Sequence, residues 1–217
     1  MGGPLVLFDL DGTLVDSGRG ITASVGAAAD RVGAPRPTPE QMRALIGPPF
    51  PHAFVDILGL DEATATAMME AYRDVYGASG LYDVDVYPGM ADLLAGLANA
   101  GLPLAVTTSK PEIYASEVLR HVGLADRFDA GIHGATLDGT VEGKAAVVGL
   151  ALDAHPGVPV VGLVGDRHHD ISGAHAHGLT SIGVTWGFGG RSELVEAGAR
   201  YVVDSPEELA DVLTALS

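Results

Sequence analysis

The amino-acid sequence predicts an α/β fold: a parallel sheet with helices on both faces, interrupted near its start by an all-helical insertion. Three features carry that expectation. Apolar runs of strand length alternate with segments of helical spacing from about residue 85 onward, and residues 17–84 hold no strand-like run. The first apolar run, Pro4-Leu5-Val6-Leu7-Phe8, leads straight into two aspartates, Asp9 and Asp11. Continuous apolar strands separated by helices are the pattern of a parallel sheet covered on both sides.

The first strand places its two acids where open α/β sheets keep their ligand crevices, at the carboxyl end. Gly12 follows and can turn the chain sharply. With no basic neighbour in the sequence, acids so placed call for a metal or a proton between them. The stretch Asp9-Leu10-Asp11-Gly12-Thr13 therefore reads as a phosphoryl-transfer site; its plain alternative is an Asx turn in a solvent-facing loop.

The insertion reads as four helices. An Ala-rich one covers about 18–32, and a second opens at Thr38-Pro39-Glu40-Gln41, a capping box with Pro at the first helical position. A third follows the break at Gly47-Pro48-Pro49, and an amphipathic fourth covers about 61–77. The domains expected are thus 1–16 with 85–217 as one body and 17–84 as the other.

Beyond residue 85, strands are expected at 102–107, 158–164 and 180–185, with weaker ones at 128–132 and 200–203. Helices are expected at 89–100, 111–122, 144–153, 170–177 and 192–198. Pro111 suits a first helical position, and Ser205-Pro206-Glu207-Glu208 combines an N-cap, a Pro at N1 and a capping-box Glu.

Bulk properties narrow the function. The chain has 217 residues, 47% of them hydrophobic, enough for one large domain with a modest insertion. Its apolar runs fall far short of the roughly 20 residues that span a bilayer, and no signal-peptide pattern opens the sequence. With no cysteine there is neither a disulfide framework nor thiolate chemistry. A cytoplasmic enzyme without a membrane partner is the expectation. A net charge of −16 argues against nucleic acid as a partner, because phosphate backbones need clustered Lys and Arg. A phosphate substrate would then need local positive charge from a metal, a few basic side chains or helix N-termini.

Four elements supply candidates. Asp9 is the expected nucleophile and Asp11 the general acid and base, with Thr13 placed to hydrogen-bond and orient Asp11. Thr108 ends the 102–107 strand region with Ser109 beside it, and a hydroxyl there with following backbone N–H groups can hold a phosphate oxygen. Lys110 reads as a salt-bridging surface lysine. Lys144, in a loop before a helix, can neutralise a transferring phosphoryl group. Asp166 follows another buried strand and is placed to ligate a hard divalent ion together with Asp9 and the backbone carbonyl of Asp11, while Asp170 reaches the ion through water. Mg²⁺ suits such a set because it takes oxygen ligands and keeps several waters. The cluster His168, His169, His175 and His177 lacks zinc-site spacing and reads as a surface group. No dinucleotide fingerprint and no Ser-centred nucleophile elbow is present.

In order and spacing the four elements resemble the motifs of the haloacid dehalogenase-like superfamily, over essentially the whole chain. The resemblance implies a Rossmann-like core, a type-1 helical cap, Mg²⁺ and an aspartyl-phosphate intermediate. True dehalogenases lack the second acid that Asp11 provides, so the likeness is to phosphatases and phosphomutases. Gly47-Pro48-Pro49, Tyr87-Pro88-Gly89-Met90 and the run from Gly165 to Ile171 are most similar to the phosphoglycolate phosphatase-like subfamily, although Lys144 is followed by Ala145 where many of its members carry Lys-Pro. The expected activity is hydrolysis of a small phosphorylated metabolite by a monomer or homodimer, with Arg43 and the 46–50 loop as selectors of the leaving group. A sugar phosphomutase and a receiver-like phosphoacceptor domain are the alternatives.

Overall fold

The computed structural model describes residues 3–48, 50 and 52–217. Pro49, part of the 46–50 loop and of the Gly-Pro-Pro break, lies outside the described residues.

Strand β1 (Leu5–Phe8) is fully buried. Val6 and Phe8 join the hydrophobic cluster on one side of the sheet, Leu5 and Leu7 the cluster on the other. Successive strand residues face opposite ways, so a strand covered twice must be apolar throughout. A tight turn at Gly12 (φ 86°) leads into the short strand β2 (Val15–Asp16). Four helices follow: α1 (Gly18–Val32), α2 (Pro39–Leu45), α3 (His52–Leu58) and α4 (Glu62–Ala78). Helix α1 stops at Gly33, whose left-handed conformation (φ 71°) returns N–H groups to the last carbonyls. Thr38 and Gln41 form the expected capping box on α2.

Strand β3 (Asp85–Val86) then pairs antiparallel with β2, so a two-stranded stem flanks residues 17–84. Strands of two residues have no periodicity to announce them, and the stem is absent from the sequence reading.

The remainder alternates: α5 (Met90–Asn99), β4 (Leu104–Pro111), α6 (Glu112–His121), β5 (Ile132–Ala135), α7 (Lys144–Ala154), β6 (Val160–Gly165), α8 (His168–Ala176), β7 (Ser181–Val184), α9 (Arg191–Glu196), β8 (Tyr201–Val203) and α10 (Pro206–Leu216). The sheet runs β5-β4-β1-β6-β7-β8 and its described pairings are all parallel. This is the Rossmann-like α/β architecture. Val148 and Ala151 of α7 and Ala174 of α8 cover one face, while Leu94 of α5, Val118 of α6 and Leu213 of α10 belong to the cluster on the other. The chain leaves β1 for β4 and β5 on one side and returns to β6, β7 and β8 on the other. That reversal opens a crevice beyond the carboxyl ends of β1, β4 and β6.

Two boundaries and one helix cap differ from expectation. The strand anticipated at 128–132 begins only at Ile132. Phe128 and Ala130 are buried, yet they lie in a turn in which the Asp129 carboxylate and the Ala130 N–H bond the backbone of Leu104. Their apolar character reflects burial without extension. Strand β4 continues to Pro111, so that proline precedes α6 and is no part of it. On α10, Ser205 accepts from the Glu208 N–H as a cap should, but the Glu208 carboxylate reaches back to the N–H of Asp204.

Candidate active site

The crevice is a cavity of about 390 Å³, floored by the sheet ends and walled by α4 and by Ile46, Gly47, Pro48 and Phe50. Asp9 sits one residue past β1, held by an N–H bond to the Val164 carbonyl at 2.8 Å. Lys144, at the start of α7, reaches Asp9 Oδ1 at 2.5 Å and the Thr107 carbonyl at 2.8 Å. Its Nζ is also 2.8 Å from Asp170 Oδ1, an ionic contact without hydrogen-bond geometry. Asp170 lies in the first turn of α8, and its other oxygen accepts the Arg167 N–H at 3.0 Å.

Asp166 follows β6 and is completely buried. Its Oδ2 accepts from the backbone N–H of Phe188 at 2.7 Å and of Gly189 at 3.4 Å, leaving Oδ1 buried without a partner. Gly12 and Gly187 close around this carboxylate. A Cβ on either would overlap Asp166, and one on Gly187 would also overlap the Gly12 carbonyl. Only glycine permits so close an approach.

Asp9, Asp166 and Asp170 each offer an oxygen within 4.8 Å of the others. Burial pushes the Asp9 carboxyl up to about 7, with the charge of Asp170 adding to it and Lys144 opposing it. Burial likewise holds Asp166 well above the usual carboxylate range, with the charges of Asp170 and Asp9 adding to the effect. Three acids crowded in a dry site, with an orphaned oxygen on Asp166, are short of positive charge. Their all-oxygen donor set fits a hard divalent cation, which supplies it.

Asp11 points elsewhere. Its Oδ1 accepts from Ser17 Oγ at 2.5 Å, and Lys110 Nζ binds its two oxygens at 2.6 and 2.7 Å. This corrects two expectations. Lys110 is 9% exposed and pairs inside the site, not on the surface. Thr13 does not orient Asp11: its Oγ1 is buried with no partner, and Ser17 makes that contact instead. The Asp11 carboxylate also stands apart from the three clustered acids, so any share in a metal site falls to its backbone carbonyl.

Thr108 and Ser109 line the cavity, Thr108 being nearly buried with its Oγ1 accepting the Lys110 N–H at 3.2 Å. Arg43 does not; it is exposed on α2 and is not among the lining residues, although its carbonyl accepts the N–H of Ile46, which is. Ile46, Gly47, Pro48 and Phe50 of the same segment do line the cavity, and so does Arg73 of α4. Arg167 donates to the Ile46 carbonyl and binds Glu193 at 2.9 Å, tying the loop after β6 to the helical segment. Three of the four clustered histidines have partners outside the cluster, His168 in Glu193, His175 in Ser181 and His177 in the Ala145 carbonyl, whereas His169 is half-buried and lines the cavity, contrary to the expected surface group.

Sequence reasoning missed Ser17, Lys110, Arg73 and the Gly187-Phe188-Gly189 loop. One signal was available for Lys110. The chain has only two lysines, Lys110 and Lys144, against ten arginines. Both lysines line this cavity.

A family model of haloacid dehalogenase-like hydrolases matches residues 6–184. The chain is 40% identical over 193 residues to a 5'-nucleotidase of Pseudomonas aeruginosa, covering 88% of this chain and 86% of that one. It is 39% identical over 213 residues to the tyrosine-protein kinase PtkA of Mycobacterium tuberculosis, covering 98% of this chain and 72% of the relative. In structure it is similar to a "predicted phosphatase" of Clostridium acetobutylicum, with a TM-score of 0.91 and 38% identity over 99% of this chain and all (100%) of the other.

Proposed function

The chain belongs to the haloacid dehalogenase-like hydrolases and is a phosphoric monoester hydrolase; from that premise we propose that it is Mg²⁺-dependent and works through a phosphorylated Asp9. One observation carries the proposal. Asp9 and Asp170 line the cavity and converge with the buried Asp166, one of whose oxygens is left unbonded, and Lys144 lies between Asp9 and Asp170.

In this reading Asp9, Asp166 and Asp170 hold the ion, together with the Asp11 carbonyl. When bound, the ion supplies positive charge to the clustered carboxylates and to the phosphoryl oxygens. Asp9 attacks phosphorus, the P–O bond to the leaving group breaks, and Asp11, protonated for this step with one of its oxygens released from Lys110, donates that proton to the departing oxygen. Water then attacks the aspartyl-phosphate, Asp11 takes its proton, and inorganic phosphate leaves with Asp9 restored. Lys144 steadies Asp9 and the transferring group, while Thr108 and Ser109 bind phosphoryl oxygens. Residues 17–84 act as a cap on the core formed by 1–16 and 85–217, excluding bulk water and shaping the space for the leaving group.

The substrate is a small phosphorylated metabolite. Phosphoglycolate is the candidate from the subfamily resemblance, and a nucleoside 5'-monophosphate is the second on the 40% identity to a 5'-nucleotidase. Phosphate release from both, with Mg²⁺ and after chelation by EDTA, tests the proposal. Turnover with Mg²⁺ that EDTA abolishes and Mg²⁺ restores is the expected result; turnover that survives EDTA overturns the metal assignment.

A further inference from the structure

Four cationic side chains of Lys and Arg line the cavity. Three of them meet carboxylates: Lys110 binds Asp11, Lys144 binds Asp9 and Asp170, and Arg167 binds Glu193. Arg73, on α4, meets none among the described residues. Its Nη2 donates to the Leu137 carbonyl at 2.8 Å, and its Nε is buried without any partner. A guanidinium N–H shut away from water and left without an acceptor is costly. In a chain of net charge −16, a cavity-lining guanidinium that meets no carboxylate among the described residues is suited to an anionic group of a ligand.

The wall around it is aromatic. Phe50, Tyr72, Tyr76 and Tyr114 all line the same cavity. The rings of Tyr72 and Tyr76 stack at 5.2 Å, Phe50 meets Tyr72 edge-on at 4.9 Å, and Tyr114 meets Tyr76 edge-on at 5.7 Å. Such a surface accommodates a planar apolar body by offset stacking or edge contact. None of these side chains takes part in the hydrolytic steps. Phe50, Tyr72 and Tyr76 stand on the cap side and Tyr114, on α6, faces them from the core, which makes all four part of the leaving-group space.

We propose that Arg73 is the specificity-determining residue of this cavity, receiving a carboxylate or comparable anionic group carried by an aromatic leaving group. The inference rests on the phosphatase reading and adds the substrate class to it.

The test compares two probes, 4-carboxyphenyl phosphate and phenyl phosphate, which share a leaving-group body and differ in the anion. The readout is the ratio of their kcat/KM values in each variant, so that a general loss of folding or catalysis cancels. Wild-type protein with Mg²⁺ is expected to favour the carboxylated ester. In Arg73→Met that ratio should fall about tenfold to a hundredfold, the loss expected of one charge-assisted hydrogen bond. Arg73→Lys should recover only part, because an ammonium lacks the planar fork of a guanidinium. No preference in the wild type, or the same ratio in Arg73→Met, overturns the inference. Hydrolysis of phosphoglycolate but of neither aryl ester overturns it too, while leaving the phosphatase reading intact. Failure to hydrolyse these esters and a nucleoside 5'-monophosphate alike overturns that reading itself.

Discussion

Lys110 Nζ binds both carboxylate oxygens of Asp11, at 2.6 and 2.7 Å, although 99 residues separate them in the chain. The contact is nearly closed to water and its lysine also lies 5.3 Å from the centre of the Tyr76 ring. An acid gripped on both oxygens by a fixed ammonium, and on one by Ser17, has little freedom of orientation.

If Asp11 moves the proton in both half-reactions, loosening it should slow them. Lys110→Met is expected to lower kcat about tenfold to a hundredfold, a part of what general acid–base catalysis contributes. The secondary structure should persist in circular dichroism. An unchanged kcat would show that Lys110 has no part in turnover.

Asp9→Asn removes the proposed nucleophile while keeping nearly the same shape. Phosphate release should fall by at least about a thousandfold, with the fold retained in circular dichroism. Hydrolysis at the wild-type rate would exclude Asp9 as the attacking group.

Gly187→Ala puts a methyl group where the Gly12 carbonyl and the Asp166 carboxylate already lie. Because Asp166 would then be displaced, Mg²⁺ should activate the variant only at concentrations about tenfold to a hundredfold higher, the range seen when support of a ligand is lost. A Mg²⁺ titration of activity identical to the wild type would contradict the role given to this loop.

Glu193 offers a test by pH. Partial burial raises its pKa, but hydrogen bonds from the His168 N–H, the His168 ring and Arg167 outweigh that and bring it to about 2. A group whose folded pKa is depressed contributes stability above its unfolded pKa, which lies at about 4.3. That contribution is lost as pH falls from about 4.3 through the folded value. Calorimetric Tm should therefore drop more steeply with acidification in the wild type than in Glu193→Gln, with the two curves approaching each other near the low end. Parallel curves would mean that the Arg167–Glu193–His168 contacts add nothing to stability.

The legible parts of the molecule have a common origin. Strands β1, β4, β6 and β7 show as apolar runs because each is covered on both faces, and the helices show through their spacing and caps. Asp9 and Asp166 are visible as acids just beyond the carboxyl ends of such strands, and Thr108 as a hydroxyl within β4 where its pairing with β5 shifts register. The two-residue strands of the stem are too short to carry a pattern, and Phe128 and Ala130 imitate a strand because a buried turn is also apolar.

By itself, the order of residues determined the layered α/β architecture, the helical insertion and the acids at the strand ends, since all of these follow from local periodicity and composition. Tertiary structure alone decided which partner each acid has: Lys110 and Ser17 for Asp11, the Phe188 and Gly189 amides for Asp166, and Lys144 shared between Asp9 and Asp170. It also set Arg73, and not Arg43, on the cavity wall. These choices depend on the direction of side chains brought together by crossovers between distant strands, and no local pattern in the sequence encodes that direction.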